Sequence, residues 1–340
     1  MLRRKIAAEL ERWLKSSEQK ALFITGSRQI GKSYSIRAFG KANHATYIEL
    51  NLMESRQAKD ALLEARNADD FISRVTLLSG KSIAPGKTLV FIDEVQEAPD
   101  IMTMAKFLVE DGRCRWAFSG SMLGTQFRGV RSYPVGYVHE LRMFPLDFEE
   151  FCWATGVSEG ARQTIRDACI SKRPVPDYIH DAMMANFRTY TVVGGMPEVV
   201  QRFLDTQGDL ASVRQLQSEL NEQYRRDISK YASGRALQVQ SIYDQLPIML
   251  EGENKRFVLN SIDPKAHYEK YQRDFVWLVD AGVALKADIK ETLPPKSRYR
   301  TRAKIALAQD GTAIAVQAIS IGYGHVDGAL PRRSRPSGVS

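Results

Sequence analysis

The segment Gly26-Ser27-Arg28-Gln29-Ile30-Gly31-Lys32-Ser33 sets two glycines, a lysine and a hydroxyl at the spacing of a phosphate-binding P-loop. Glycines let a backbone bend tightly enough to turn several N–H groups toward one set of phosphate oxygens. Lys32 supplies a point charge for β- and γ-phosphates, and the Ser33 hydroxyl can ligate Mg²⁺. The expected ligand is ATP with Mg²⁺, and all eight residues are expected to line its site. A second signal is Thr88-Leu89-Val90-Phe91-Ile92-Asp93-Glu94, an apolar run that ends in two adjacent carboxylates. An unpaired carboxylate at the end of a buried strand is costly. Beside a phosphate loop the pair has a use: Asp93 can hold Mg²⁺, usually through water, and Glu94 can polarise the water that attacks the γ-phosphate. A solvated strand end carrying two surface acids is the alternative. A small-molecule kinase must keep water from the γ-phosphate, so Asp-Glu favours hydrolysis over transfer.

These groups need a scaffold. Ala21 to Thr25 reads as a short buried strand leading into the loop, and Tyr34 to Phe39 as a helix leaving it. The phosphates would then meet a helix N-terminus. Cys114 to Phe118 is a further strand candidate, running into Ser119-Gly120-Ser121. Lying beside the Asp-Glu strand, it would offer Ser119, or failing that Ser121, as a contact for the attacking water or the γ-phosphate; both also suit an ordinary turn. Pro99 to Glu110 reads as a helix begun by proline, and residues 2 to 15 as an amphipathic helix. The alternation predicts an α/β fold: a P-loop parallel sheet flanked by helices, followed by a mostly helical lid and a winged-helix-like region. Gly80-Lys81-Ser82 repeats part of the loop pattern, but Val75 stands where its first glycine belongs, so it reads as a turn. Arg128 and Arg131 lie in the loop after the third strand, as phosphate contacts within or across subunits or as solvated side chains.

At this point the sequence resembles the AAA-type ATPases of bacteria and archaea that carry a C-terminal domain of unknown function. The shared pieces are Thr25 to Ser33, Phe91-Ile92-Asp93-Glu94-Val95-Gln96, Phe118-Ser119-Gly120-Ser121, Phe144-Pro145-Leu146-Asp147-Phe148-Glu149-Glu150-Phe151 and Gly194-Gly195-Met196-Pro197-Glu198-Val199-Val200. Weaker matches are Asn254-Lys255-Arg256-Phe257 and Trp277 to Gly282. The resemblance implies ATP binding at Gly31, Lys32 and Ser33, metal binding at Asp93, water activation at Glu94 and a sensor role for Ser119. Many members carry a cation after the glycine equivalent to Gly136; Tyr137 stands there, so no arginine contribution is carried over from that point.

The division expected is an ATPase core over 1–150, a helical lid or linker over 151–235, a winged-helix-like start of the C-terminal domain over 236–295, and a basic tail, partly disordered, over 296–340. Gly194-Gly195-Met196-Pro197-Glu198 suits a joint that folds a lid over the nucleotide, and equally a plain helix–helix turn. Ala266 to Asp280 reads as a helix stopped by Gly282, with a strand over 283–289. The net charge of +8 suggests nucleic acid at first sight. Its location argues otherwise: eight cations after Pro294 face only Asp310 and Asp327, which puts +6 in the tail and leaves +2 for everything before it. The nuclease-like region usual in the family is not found in the tail, and Glu253-Asn254-Lys255 reads as surface charge. The tail is either native or a truncated or frame-altered end. Cys114, Cys152 and Cys169 are spaced too far apart for a zinc site and read as buried apolar residues. With no long apolar run and a charged N-terminus, a cytoplasmic location is expected. The leading function is an ATPase whose cycle moves its C-terminal half against a protein or nucleic-acid target, as a monomer or an oligomer. The alternative is an ATP-gated protein- or DNA-binding module with negligible turnover.

Overall fold

The structure is a computed structural model that describes residues 2–121, 134–232, 234–251, 268–284, 287–289 and 302–304. The chain opens with α1 (Ile6–Lys15), β1 (Ala21–Gly26), α2 (Lys32–Asn43) and β2 (Thr46–Asn51). Then come α3 (Arg56–Leu63), α4 (Ala68–Ser79), β3 (Thr88–Asp93), α5 (Ala105–Asp111), β4 (Arg115–Ser121) and β5 (Val138–Arg142). A helical run follows: α6 (Phe148–Ala154), α7 (Glu159–Ser171), α8 (Asp177–Val193), α9 (Pro197–Asp205), α10 (Leu210–Tyr231), α11 (Ala236–Glu251) and α12 (Tyr268–Asp280). A ribbon of β6 (Ala287–Ile289) and β7 (Arg302–Lys304) is antiparallel.

The main sheet has five strands in the order β2-β3-β4-β1-β5, all parallel. β1, β3 and nearly all of β4 are buried, which is why they read as unbroken apolar runs. Successive side chains feed opposite layers. Phe23, Val90, Ile92 and Phe118 pack with α3, α4 and α5, while Leu22, Ile24, Leu89 and Phe91 pack on the other side with α1 and α2. That second layer continues without a break into the C-terminal helices, through Leu220, Tyr224, Ile242, Tyr243, Phe275 and Leu278. The core sheet and the C-terminal helices therefore share one apolar interior.

Local signals set the joints. Asp147 caps α6 in a reciprocal capping box with Glu150. Leu146 donates its N–H to the Gly195 carbonyl at 2.7 Å, tying the turn before α6 to the glycine pair before α9. Gly80, at φ 65°, ends α4, and Lys81 donates to the Tyr47 carbonyl at 2.8 Å, so the second Gly-Lys-Ser is a helix end.

Some expectations shift. The helix expected over 99–110 is a 3₁₀ segment, Pro99–Met104, followed by α5. Of the strand expected over 283–289, residues 287–289 are strand, whereas Val283 and Ala284 follow the turn at Gly282 and are buried with the C-terminal helices; 285 and 286 lie outside the described residues. Cys114 and Cys152 are buried, but Cys169 is exposed on α7, against the expectation for all three. Arg128, Arg131, Glu253, Asn254 to Phe257 and residues 305–340 lie outside the described residues. Among those described, no helix is long and apolar enough to cross a membrane.

Candidate functional site

The loop 26–33 is shaped by backbone constraints that only some residues meet. Gly26 has φ 150°, and a Cβ there would sit 2.3 Å from the Met143 carbonyl oxygen and 2.6 Å from Ile30 Cδ1. The close pass of β5's end, where the Met143 N–H donates to Thr25 O at 2.8 Å, thus requires glycine. Gln29 (φ 62°) and Gly31 (φ 89°) are left-handed, and α2 begins immediately at Lys32. Alternation of this kind turns backbone N–H groups into an anion-binding nest at the helix N-terminus. Lys32 is only 5% exposed, and its ammonium donates to the carbonyls of Gly26 (3.1 Å) and Ser27 (2.7 Å). Burial pushes its pKa down to about 8, although Glu94 and Asp93 pull it upward.

The two acids sit at the end of β3, one strand removed from β1. Asp93 is 2% exposed. Its Oδ1 accepts from the Ser119 hydroxyl and, at 3.0 Å, from the Glu94 N–H. The Ser33 hydroxyl also bonds to Asp93, and Asn51 Nδ2 approaches its Oδ2 at 3.5 Å. Burial raises the pKa of Asp93, with the hydroxyls of Ser119 and Ser33 working against that rise. Ser119 therefore touches the acid expected to hold metal; the contact expected of it was to the water or the γ-phosphate. β4 lies between β1 and β3, which brings Ser119 beside both the loop and the acids. Glu94 is left-handed (φ 56°, ψ 44°), a conformation that costs a non-glycine residue on the order of 1–3 kcal/mol. The turn swings its side chain away from Asp93 to the amide of Gln96, which donates to Glu94 Oε2. Gln96 is itself buried, and its Oε1 accepts the Ser121 N–H at 3.1 Å.

The donor set around Asp93 is all oxygen: a carboxylate with the hydroxyls of Ser33 and Ser119. That chemistry fits Mg²⁺, which takes one or two protein ligands and fills the rest of its octahedron with water and substrate phosphate.

Arg28 and Gln29 were expected to line the nucleotide, but their side chains point to α10. Arg28 pairs with Asp227 at 2.7 Å, and the Gln29 amide donates to Gln223. The C-terminal half meets the loop again at Gly282, where an added Cβ would lie 3.2 Å from the Ser27 nitrogen. On the N-terminal side Arg4 donates to Ile30 O at 2.9 Å and pairs with Glu150 at 3.2 Å. Arg4, Tyr224, Asp227 and Gly282 could not be read from the chain as neighbours of the loop, because each pairing is long-range. Gln96 had a signal, standing two residues past Glu94 in a shared motif, and was assigned no role.

Residues 18–152 match the family model of an AAA domain. Residues 184–320 match that of a domain of unknown function, which runs past residue 295, where the shared motifs end. No curated protein matches. Among solved structures, two of RuvB from Thermotoga maritima align, one a point variant and one described as a Holliday junction branch migration motor. Each is 10% identical with a TM-score of 0.37, over 84% of this chain and 90% of the other, and a likeness of that size says nothing about function. The chain carries an AAA domain, an ATP-binding module of the ATPase type, followed by a separate domain of unknown function.

Proposed function

We propose that the protein is a Mg²⁺-dependent ATP hydrolase whose turnover repositions its C-terminal half. The observation that carries the reading is the convergence of Lys32, Asp93, Glu94 and Ser119 at the C-terminal ends of β1, β3 and β4. In this reading the N–H groups of residues 26–33 and the Lys32 ammonium hold the β- and γ-phosphates. Ser33 and Asp93 hold Mg²⁺, with Ser119 orienting Asp93. Bound there, Mg²⁺ neutralises charge on the β- and γ-phosphate oxygens. Glu94 accepts a proton from water as its oxygen bonds to the γ-phosphorus. The bond from that phosphorus to the β–γ bridging oxygen breaks, leaving ADP and inorganic phosphate. An apolar cavity of about 420 Å³ between α1 and α2, lined by Leu2, Arg4, Ile6, Leu10, Tyr34 and Phe39, is the seat proposed for the base.

The division into a core over 1–150, a lid over 151–235, a winged-helix-like part over 236–295 and a basic tail over 296–340 belongs to the same proposal. So does a protein or nucleic-acid target of the C-terminal half. Phosphate release from purified protein tests the enzyme reading. Wild type should turn over ATP only with Mg²⁺, and Glu94→Gln should lose roughly 10²–10⁴ of the rate while still binding ATP. Equal, near-zero rates for both would leave an ATP-gated binding module instead.

A further inference from the structure

Tyr224 lies on α10, within the domain of unknown function, and is 7% exposed. Its phenol is not spent on a neighbouring helix. It donates to the Arg28 carbonyl at 3.0 Å, and the Ser27 hydroxyl bonds to the same phenol. On the same side of α10, Asp227 holds the Arg28 guanidinium at 2.7 Å and Gln223 holds the Gln29 amide. Three residues of one helix thus grip the outer arch of the phosphate loop.

A trans peptide is planar, and its C=O and N–H point in opposite directions. All described peptides are trans. A carbonyl pinned outward at Arg28 therefore turns the next N–H, that of Gln29, to the inner side of the arch. Arg4 does the same one step on: it holds the Ile30 carbonyl at 2.9 Å, which turns the Gly31 N–H inward. The two pinned peptides precede the two left-handed residues, Gln29 at φ 62° and Gly31 at φ 89°. Alternation of this kind is what makes a run of backbone N–H groups concave toward an anion.

We infer that Tyr224 is a positioning residue for phosphate binding: from the C-terminal domain it holds the Arg28 carbonyl outward so that the Gln29 N–H faces the nucleotide's phosphates. Tyr224 has this role only if residues 26–33 bind nucleotide, as proposed above. The consequence is reciprocal. A C-terminal domain that carries part of the loop's shape tightens ATP when docked, and ATP favours the docked position by the same factor.

The test compares two buried tyrosines that each lose only a hydroxyl. Tyr243, on α11, is 2% exposed and donates to Asn221 Oδ1 at 2.5 Å, a partner on α10 rather than in the loop. Affinities for ATP and ADP, both with Mg²⁺, and for adenosine are measured for wild type, Tyr224→Phe and Tyr243→Phe, together with the melting temperature without ligand. Tyr224→Phe should weaken ATP and ADP roughly five- to tenfold, the worth of one hydrogen bond, and leave adenosine unchanged. Tyr243→Phe should lower the melting temperature and leave all three affinities at wild-type values. Wild-type affinity for ATP and ADP in Tyr224→Phe overturns the inference alone, as does an equal loss in both variants, which marks general loosening. Absence of ATP binding by wild type overturns the nucleotide reading and the inference together.

Discussion

The two glycines of the phosphate loop should respond to the same substitution in opposite ways. At Gly26 an added methyl carbon would lie 2.3 Å from the Met143 carbonyl oxygen. Even a close attractive C–H···O contact rests at about 3.3 Å, so the end of β5 must retreat by roughly 1 Å. That strand end is bonded to β1 and packed beneath the C-terminal helices, so the overpacking costs about 1–3 kcal/mol. A backbone at φ 150°, outside the range of ordinary side chains, adds about 1–3 kcal/mol more. The sum, about 2–6 kcal/mol, lowers the melting temperature on the order of 10 °C. At Gly31 the nearest atoms to an added Cβ are 3.9 Å away, so nothing collides. Only the left-handed backbone is penalised, by about 1–2 kcal/mol, and an alanine relaxing from it swings the neighbouring N–H groups off the phosphates. Gly31→Ala should melt within a few degrees of wild type and bind MgATP roughly tenfold or more weakly. Thermal melts with and without MgATP read both effects, since ligand raises the midpoint in proportion to ln(1 + [L]/Kd). A Gly26→Ala variant that melts with wild type would refute the steric reasoning. So would a Gly31→Ala variant that falls as far as Gly26→Ala.

Three further outcomes follow from the site's side chains. With a Lys32 pKa of about 8, the ammonium that binds phosphate is lost as pH rises, so MgATP affinity should fall roughly tenfold between pH 7 and 9, where the nucleotide's own phosphates are already largely ionised. Lys32→Arg, charged throughout, should bind with a flat profile by calorimetry; a flat wild-type profile would remove the ammonium from recognition. Ser119→Ala strips a hydrogen bond from the buried Asp93 carboxylate and should cost about 1–2 kcal/mol of stability. That deficit should widen when MgATP is added, because a protein whose carboxylate is no longer held for the metal binds MgATP more weakly and gains less from it, and a deficit that MgATP leaves unchanged would show that Ser119 does not position Asp93 for the metal. Gln96→Leu frees the Glu94 carboxylate and strands the Ser121 N–H, and should lower kcat about tenfold with KM for ATP unchanged. An unaltered kcat in steady-state phosphate release would show that the Glu94–Gln96 bond plays no part in turnover.

The loop between β1 and α2 and the acid-ended strand β3 were legible because each is written in consecutive residues. Gly26 to Ser33 carries its own turn chemistry, and Thr88 to Glu94 is a buried strand with acids at its end, so neither depends on a distant partner to be recognised. The parallel sheet followed from the alternation of such strands with helices. What the sequence hid is what depends on pairing across the chain. Arg28 and Tyr224 are 196 residues apart, and nothing local to either announces the other. Arg28 sits in the motif expected to line the nucleotide, and nothing in the motif announces the pairing of its guanidinium with Asp227. Ser119 was placed at the right strand end, but its partner depended on β4 lying between β1 and β3, an order that alternation alone does not fix. Cys169 looked like a core residue by type, whereas it is exposed on α7, whose buried residue is its neighbour Ala168.

Calorimetric titration of ATP into the full chain, with and without Mg²⁺, tests the central claim most directly when run beside Lys32→Met, which keeps an unbranched side chain one atom shorter and removes its charge. Wild type should show saturable uptake with Mg²⁺, and the variant, folded by its melt, should show none. Silence from wild type with Mg²⁺ present, or equal affinity in the folded variant, would contradict an ammonium and a ring of backbone N–H groups holding a triphosphate.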